Sequence, residues 1–187
     1  MKRIVGVGMA LTVALLMPTC GTQRQASETA LAQAVTAYNA IKPQAMNVDP
    51  EQAKAIETAI TAATSVLQQG DYKAALQAAN GVAEKVKQLS EALPGKLADL
   101  QSAWTELSNS LPGTLATLER KLRGVHAPAA GTPGAADSPA AVLARLKTEW
   151  GEAESAEQAG RLAEAVGKAN EVREGAVRLL TDLQTGS

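Results

Sequence analysis

Side chains that could do chemistry are scarce in this sequence. It has one cysteine, Cys20, and one histidine, His126. His126 lies in segment 125–138, where Pro, Gly and Ala show no apolar period and predict a linker or exposed loop. Because no regular element positions this imidazole, we interpret it as a solvated linker histidine rather than a metal ligand or catalytic base.

The densest group of carboxylates lies in a predicted helix. Glu149 and Glu152 are three residues apart and share a helix face, with Glu154 and Glu157 following. Carboxylates can bind calcium or form an acid and base pair, but no Glu-x-x-His motif accompanies them, as a di-iron bundle requires. We interpret them as a solvated acidic face.

No other motif points to catalysis. Zinc-ligand spacing, a glycine-rich phosphate loop and a Ser-His-Asp set are not apparent. The sequence therefore predicts a chain that is not an enzyme, without catalytic residues, a metal site or a cofactor.

The first residues have the composition of an export signal. Lys2 and Arg3 precede the uncharged apolar stretch 4–17, which ends at Pro18. A membrane-spanning helix needs about 20 apolar residues, and this stretch is shorter. Residues 1–19 are therefore predicted to be a signal peptide that is removed on export.

Cys20 directly follows this stretch, and Leu15-Leu16-Met17-Pro18-Thr19-Cys20-Gly21 resembles the lipobox of bacterial lipoproteins. The resemblance implies cleavage before Cys20, diacylglycerol on its thiol and often a further acyl chain, such as palmitate, on its amino group. Two or more acyl chains anchor a protein stably, whereas one holds it only marginally. A single exported cysteine has no partner for an internal disulfide, and lipidation accounts for it.

Two features refine this prediction. The family favours Leu three positions before the cysteine and a small residue just before it, where this sequence has Met17 and Thr19. An ordinary signal peptide followed by an unmodified cysteine therefore stays an alternative. Gly21 stands where the family's inner-membrane proteins usually carry Asp, so the resemblance implies the outer membrane in an organism that has one.

The charge balance argues against nucleic acid as a partner. The full chain has a net charge of −1, and loss of Lys2 and Arg3 with the signal makes it more negative. The densest basic cluster, residues 120–123, lies beside Glu119. A nucleic-acid binder shows a basic patch that neutralises phosphates, so a solvated helix face explains this cluster better.

Composition indicates an all-α fold. The chain has no Phe, only two Trp and two Tyr, and much Ala, which has the best helix propensity. Caps and breakers predict helices over about 27–41, 50–69, 71–93, 96–110, 112–124, 139–158 and 161–183. That gives seven helices, or six if Pro112 only kinks a longer one, arranged as an up-and-down bundle or a short stack of antiparallel hairpins.

An internal repeat organises the chain. At an offset of 90 residues Gly70 matches Gly160, and the following helices share Ala, Val, Asn and Leu positions. We expect an N-terminal block over 20–124, a linker over 125–138, and a C-terminal hairpin, 139–187, that repeats about 52–93. The positions that step by three and four in both second helices predict the packed seams. They are 72, 75, 79, 82, 86, 89 and 93, and 162, 165, 169, 172, 176, 179 and 183.

Both hairpin turns carry a weak local resemblance. Gly70-Asp71-Tyr72-Lys73-Ala74-Ala75-Leu76 resembles the turn of tetratricopeptide repeats, and the segment from Gly160 to Val166 is a degenerate version. In that family the glycine permits the turn and the small residue lets helices pack closely. The repeats here lie 90 residues apart and not in tandem copies of about 34, so a peptide-binding groove is not carried over.

These observations lead to two hypotheses for function. The first is a non-catalytic envelope lipoprotein that acts as a helical scaffold or interaction module for another envelope protein. The second is a helical bundle that carries a small ligand or metal between its helices. Trp104 and Trp150 fall on apolar seams and are predicted to lie in the core, while Asn80 and Asn170 follow seam positions and are predicted to point outward.

Overall fold

The structure, a computed structural model, describes residues 19–123 and 138–185. These ranges form five helices and no strand, so the all-α class is confirmed. The helices are α1 (Thr19–Val48), α2 (Pro50–Gln68), α3 (Tyr72–Leu122), α4 (Pro139–Gln158) and α5 (Leu162–Thr185). Most of the predicted signal peptide and linker, with His126, lies outside the described residues.

The predicted count of six to seven helices is wrong because α3 is one helix of 51 residues. It runs through both Pro94 and Pro112. The sequence predicts that one helix ends before Pro94, and that a helix ends or kinks at Pro112. Both prolines are exposed, while Leu93 and Leu111 beside them are buried. Each proline removes one helical hydrogen bond, yet an end at either site would interrupt the apolar seam that crosses it. Burial of the seam outweighs the missing bonds.

α1 is also longer than the predicted helix over 27–41. It spans 30 residues and contains Pro43, whose ring lies on the exposed side. Its last turn buries Ala45 and Val48, beyond the predicted end. Tertiary packing therefore extends this helix past a residue that usually breaks one.

The helices begin at capping residues and first-turn prolines that can be recognised in the sequence. Asp49 caps α2 by accepting from the Gln52 amide, and Asp71 caps α3 by accepting from the Ala74 amide. Ser138 caps α4 in the same way, and Pro50 and Pro139 occupy first-turn positions that lack a hydrogen-bond partner in any case. Boundaries set by such local signals match the prediction to within about two residues.

The side chains form two cores that share α3. The first joins α1 and α2 to the beginning of α3, and the second joins the rest of α3 to α4 and α5. Leu100 packs against both. The molecule is thus two three-helix bundles in tandem, in which the third helix of the first bundle continues as the first helix of the second. The C-terminal hairpin docks on α3.

The two hairpins bury corresponding positions. Ala53, Ile56 and Ala63 of α2 are buried, and so are the residues 90 positions later, Leu143, Leu146 and Ala153. The second helices follow the same rule along their seams, with residues 75, 79, 82, 86 and 89 and residues 165, 169, 172, 176 and 179 all buried. The matched turns each hold a glycine with positive φ, 83° at Gly70 and 75° at Gly160, a conformation that disfavours other residues. A shared origin of the hairpins stays a prediction.

Close packing between α4 and α5 leads to a first stability prediction. A Cβ added at Gly175 would lie 2.5 Å from Leu146 Cδ2, whereas one added at Gly167 on the same helix meets nothing within 4 Å. We expect Gly175→Ala to destabilise the fold by about 1–3 kcal/mol through overpacking. Gly167→Ala should stabilise it by about 0.5–1 kcal/mol through helix propensity.

Urea unfolding of a chain that begins at Gly21 measures both effects. Gly167→Ala is the matched control because it makes the same chemical change in the same helix. Equal effects of the two substitutions would refute the close contact between Leu146 and residue 175.

Candidate functional site

The first candidate is the end of the molecule that carries Cys20. α1 begins at Thr19, so Cys20 lies in its first turn. Residues 21–26 are exposed, and the next residue, Ser27, is buried, its hydroxyl donating to the Arg24 carbonyl at 2.8 Å. Between Cys20 and Ser27 the helix rises only about 10 Å. The predicted lipid attachment point is therefore joined to the bundle by helix alone.

α1 and α3 run parallel, which places the α2–α3 turn at the same end as Cys20. Residues of α1 between 30 and 41 and of α3 between 80 and 90 line one groove, and Lys96 pairs with Asp49 just beyond the end of α1, at 2.5 Å. Towards the N-termini of both helices, Arg24 of α1 lies level with Tyr72 at the start of α3. The ion pair with Glu28, and then the proximity of Tyr72, raise the pKa of the Arg24 guanidinium.

The second candidate is the groove between α1 and α3, on the outer surface of the first bundle. It has a volume of about 370 Å³. Its walls are mainly Ala and other apolar side chains, and Asn80, Gln33, Lys87 and Ser90 supply polar groups. Asn80 is exposed as predicted, whereas no pattern in the sequence predicts that it shares a groove with α1.

Charge is distributed unevenly among the helices. No Asp, Glu, Lys or Arg occurs from residue 29 to 41 in α1 or from residue 58 to 70 in α2 and its turn. α4 and α5 instead carry charges of both signs along their length, and Lys168 donates to Glu152 across them at 2.7 Å. That pair raises the pKa of Lys168. The middle of α1 and the end of α2 thus expose uncharged side chains, whereas α4 and α5 expose a charged surface.

The glutamates singled out in the sequence lie on this charged surface. Glu152 pairs with Lys168, and Glu149 lies 3.6 Å from Arg145. Across residues 19–123 and 138–185 no three His, Cys, Asp or Glu side chains come together as metal ligands. Glu149 and Glu152 thus form surface ion pairs, which stabilise a fold only weakly.

The two tryptophans meet in the second core. Trp104 of α3 and Trp150 of α4 stack with ring centroids 5.5 Å apart and planes 13° apart. Trp150 is buried and Trp104 partly buried. A stacked pair of this kind contributes about 0.5–1.5 kcal/mol beyond its burial, so the pair strengthens the contact between α3 and α4.

Tyr38 is a buried polar group that links α1 to α2. Its hydroxyl donates to the Ala53 carbonyl at 3.0 Å, and Lys42 lies 5.9 Å from its ring centroid and pairs with Glu57 at 2.7 Å. Burial, with the negative charge of Glu57 nearby, raises the pKa of Tyr38 to about 12. Lys42 in turn holds the pKa of the Glu57 carboxyl below its usual range.

The raised pKa of Tyr38 predicts alkaline instability. The folded state keeps its proton more tightly than the unfolded chain, so the stabilisation is complete below pH 10 and falls as pH rises towards 12. We expect a loss of about 2–3 kcal/mol across this window. Tyr38→Phe should remove this loss while costing about 1 kcal/mol at neutral pH for the hydrogen bond.

Unfolding midpoints in urea between pH 8 and 12 measure this loss. Tyr72→Phe is the matched control and should leave the alkaline loss in place. An unchanged alkaline loss in Tyr38→Phe would refute the assignment.

Two further findings complete the description. Within the part of the chain that the structure describes, none of the helices combines the length and apolarity that a membrane span requires. Comparison with protein-family models, with curated proteins and with solved structures found no match to this chain.

Proposed function

We propose that this chain is a non-catalytic lipoprotein of the bacterial envelope whose helical rod is a scaffold for another envelope protein. The observation that supports the proposal best is α3, a single helix of 51 residues that contributes to both cores. A helix of that length spans about 76 Å, and packing along most of it holds the two ends of the molecule at a fixed separation. Fixed separation is the property that a scaffold or spacer needs.

The anchor in this proposal is Cys20. Acyl chains on its thiol and amino group would hold the rod at the membrane, each buried CH₂ contributing roughly 0.8 kcal/mol. The described helices include no span that would do so instead. Export signal, cysteine and helical body together favour a tethered protein over one released into the envelope.

Metabolic labelling with an alkyne analogue of palmitate tests the anchor. The wild-type chain should take up the label and fractionate with membranes, and Cys20→Ser should lose both properties. Ser110→Cys, combined with Cys20→Ser, is a control that retains one exposed thiol elsewhere and should stay unlabelled. Labelling that persists in Cys20→Ser would end the lipoprotein proposal.

The partner is tested by photo-crosslinking in intact cells. A photoreactive residue at Ala37 samples the neutral α1 surface, one at Arg173 samples the charged α5 surface, and both positions are exposed. A scaffold should give a discrete crosslinked protein from at least one surface. Absence of any discrete product from either surface would argue against an interaction module.

The groove between α1 and α3 favours a second candidate, a carrier of a small ligand. Its volume of about 370 Å³ falls within the usual range of ligand pockets, roughly 300–1,000 Å³. Native mass spectrometry of the purified chain distinguishes the candidates. A bound mass that disappears in Ala83→Trp, which fills the groove, would favour the carrier over the scaffold.

A further inference from the structure

The structure bears on how a lipid-anchored rod would be oriented, an inference that rests on the proposed lipidation of Cys20. No turn separates the anchor from the folded body. Gly21 is helical, and the described residues with positive φ are only Gly70 and Gly160. By Leu31 the helix is packed in the first core. A flexible tether of the sort that lets a domain move away from its anchor is therefore missing between Cys20 and Leu31.

The end that carries Cys20 has the composition of a surface that rests on headgroups. The α2–α3 turn lies at the level of Cys20, and its exposed residues include Gln69, Gly70, Asp71 and Lys73. The adjacent α1 residues 21–26 are exposed and include the polar Thr22, Gln23, Arg24 and Gln25. This end is polar, with charges of both signs and no large apolar side chain to insert into the acyl region.

The sides of the rod lack what would hold it flat on a bilayer. Among the described residues Val177 is the exposed large hydrophobic side chain, 55 % accessible. Flat binding needs an apolar face or an excess of Lys and Arg that attracts anionic lipid, and the chain has a net charge of −1. The sides of the rod therefore offer no second membrane contact that would compete with the lipid attachment at its end.

We propose that the lipidated chain rests on the membrane through the end formed by α1 residues 21–26 and the α2–α3 turn. The opposite end, formed by the end of α3 and the start of α4, is held away from the bilayer. Lys73 and Lys121 mark the two ends, since both are exposed on the same helix. The end of the rod that carries Cys20 contacts the polar lipid headgroups.

Energy transfer from the protein to labelled lipid tests this orientation. The full-length chain, processed in a bacterial envelope, is purified in detergent and reconstituted into phosphatidylcholine vesicles that contain a headgroup acceptor dye. Lys73→Cys and Lys121→Cys each supply one free thiol for the donor dye, because acylated Cys20 does not react. Since these positions lie about 72 Å apart along α3, transfer should be at least about threefold greater from residue 73.

Three outcomes are informative. Greater transfer from residue 73, reduced when a ten-residue Gly and Ser insert follows Gly21, supports the orientation. Equal transfer from both positions in vesicle-bound protein overturns it, because the rod then lies flat or swings. Failure of the processed chain to float with vesicles overturns the lipid anchor of the proposed function, and the orientation falls with it.

Discussion

Leu118→Ala should destabilise the chain by about 2–5 kcal/mol, a large part of the stability of a domain this size. Leu118 is completely buried in the second core, on α3, where α4 and α5 pack against the helix. Leucine loses three carbon atoms in this substitution, and with them their transfer free energy. The surrounding structure fills the resulting cavity only partly.

Two spectroscopic signals measure this effect. The chain's two tryptophans both belong to the second core, so their fluorescence reports on that bundle, while circular dichroism reports on all helices. Val177→Ala is the matched control, since Val177 is exposed, and should change stability by less than about 0.5 kcal/mol. A loss below about 1 kcal/mol in Leu118→Ala would contradict the packing of α3 in the second core.

Pro94→Ala should stabilise the chain by about 2 kcal/mol. Pro94 lies inside α3 and is exposed, so the substitution restores a backbone hydrogen bond without disturbing the core. A proline in a helix interior costs about 3 kcal/mol, and its loss also frees the unfolded chain, which offsets about 0.4–1 kcal/mol. The gain is therefore smaller than the full proline penalty.

Pro50→Ala is the matched control for this prediction. Pro50 is in the first turn of α2, where an amide has no helical partner, so its replacement should be neutral or slightly destabilising. If a helix ended at Leu93, as the sequence alone predicts, replacing Pro94 would have as little effect on stability as replacing Pro50. Neutral or destabilising results for Pro94→Ala would thus contradict one continuous α3.

Much of the fold follows from local signals. Asp49-Pro50, Asp71 and Ser138-Pro139 mark helix starts in the sequence because their side chains and rings satisfy first-turn geometry. Gly70 and Gly160 mark the turns because the chain needs positive φ there. The seam positions could be predicted because helical periodicity brings them to one face.

The continuous α3 could not be predicted in the same way. Pro94-Gly95 and Pro112-Gly113 are strong local breakers, and their effect is overcome by burial of Leu93 and Leu111 against other helices. That burial depends on where α1, α4 and α5 pack, which lies in tertiary structure. The same limit explains why the sequence predicts an end near residue 41, whereas α1 continues to Val48.

The candidate sites also differ in whether the sequence alone reveals them. The signal at Cys20 is a contiguous motif and needs no fold to be recognised. The groove depends on the parallel alignment of α1 and α3, and the hydrogen bond from Tyr38 to Ala53 depends on the packing of α1 against α2. A neutral run over residues 29–41 was visible in the sequence and is a signal that marks α1 as unlike the charged C-terminal hairpin.

The two bundles form one rod because α3 is unbroken between them. The distance between spin labels at Lys87→Cys and Lys121→Cys, in a chain that begins at Gly21, probes this continuity, since the two exposed positions bracket both prolines. We predict a single narrow distribution centred at about 51 Å, the helical rise over that interval. A broad distribution, or one centred well below this distance, would show that α3 is broken or bent between the bundles.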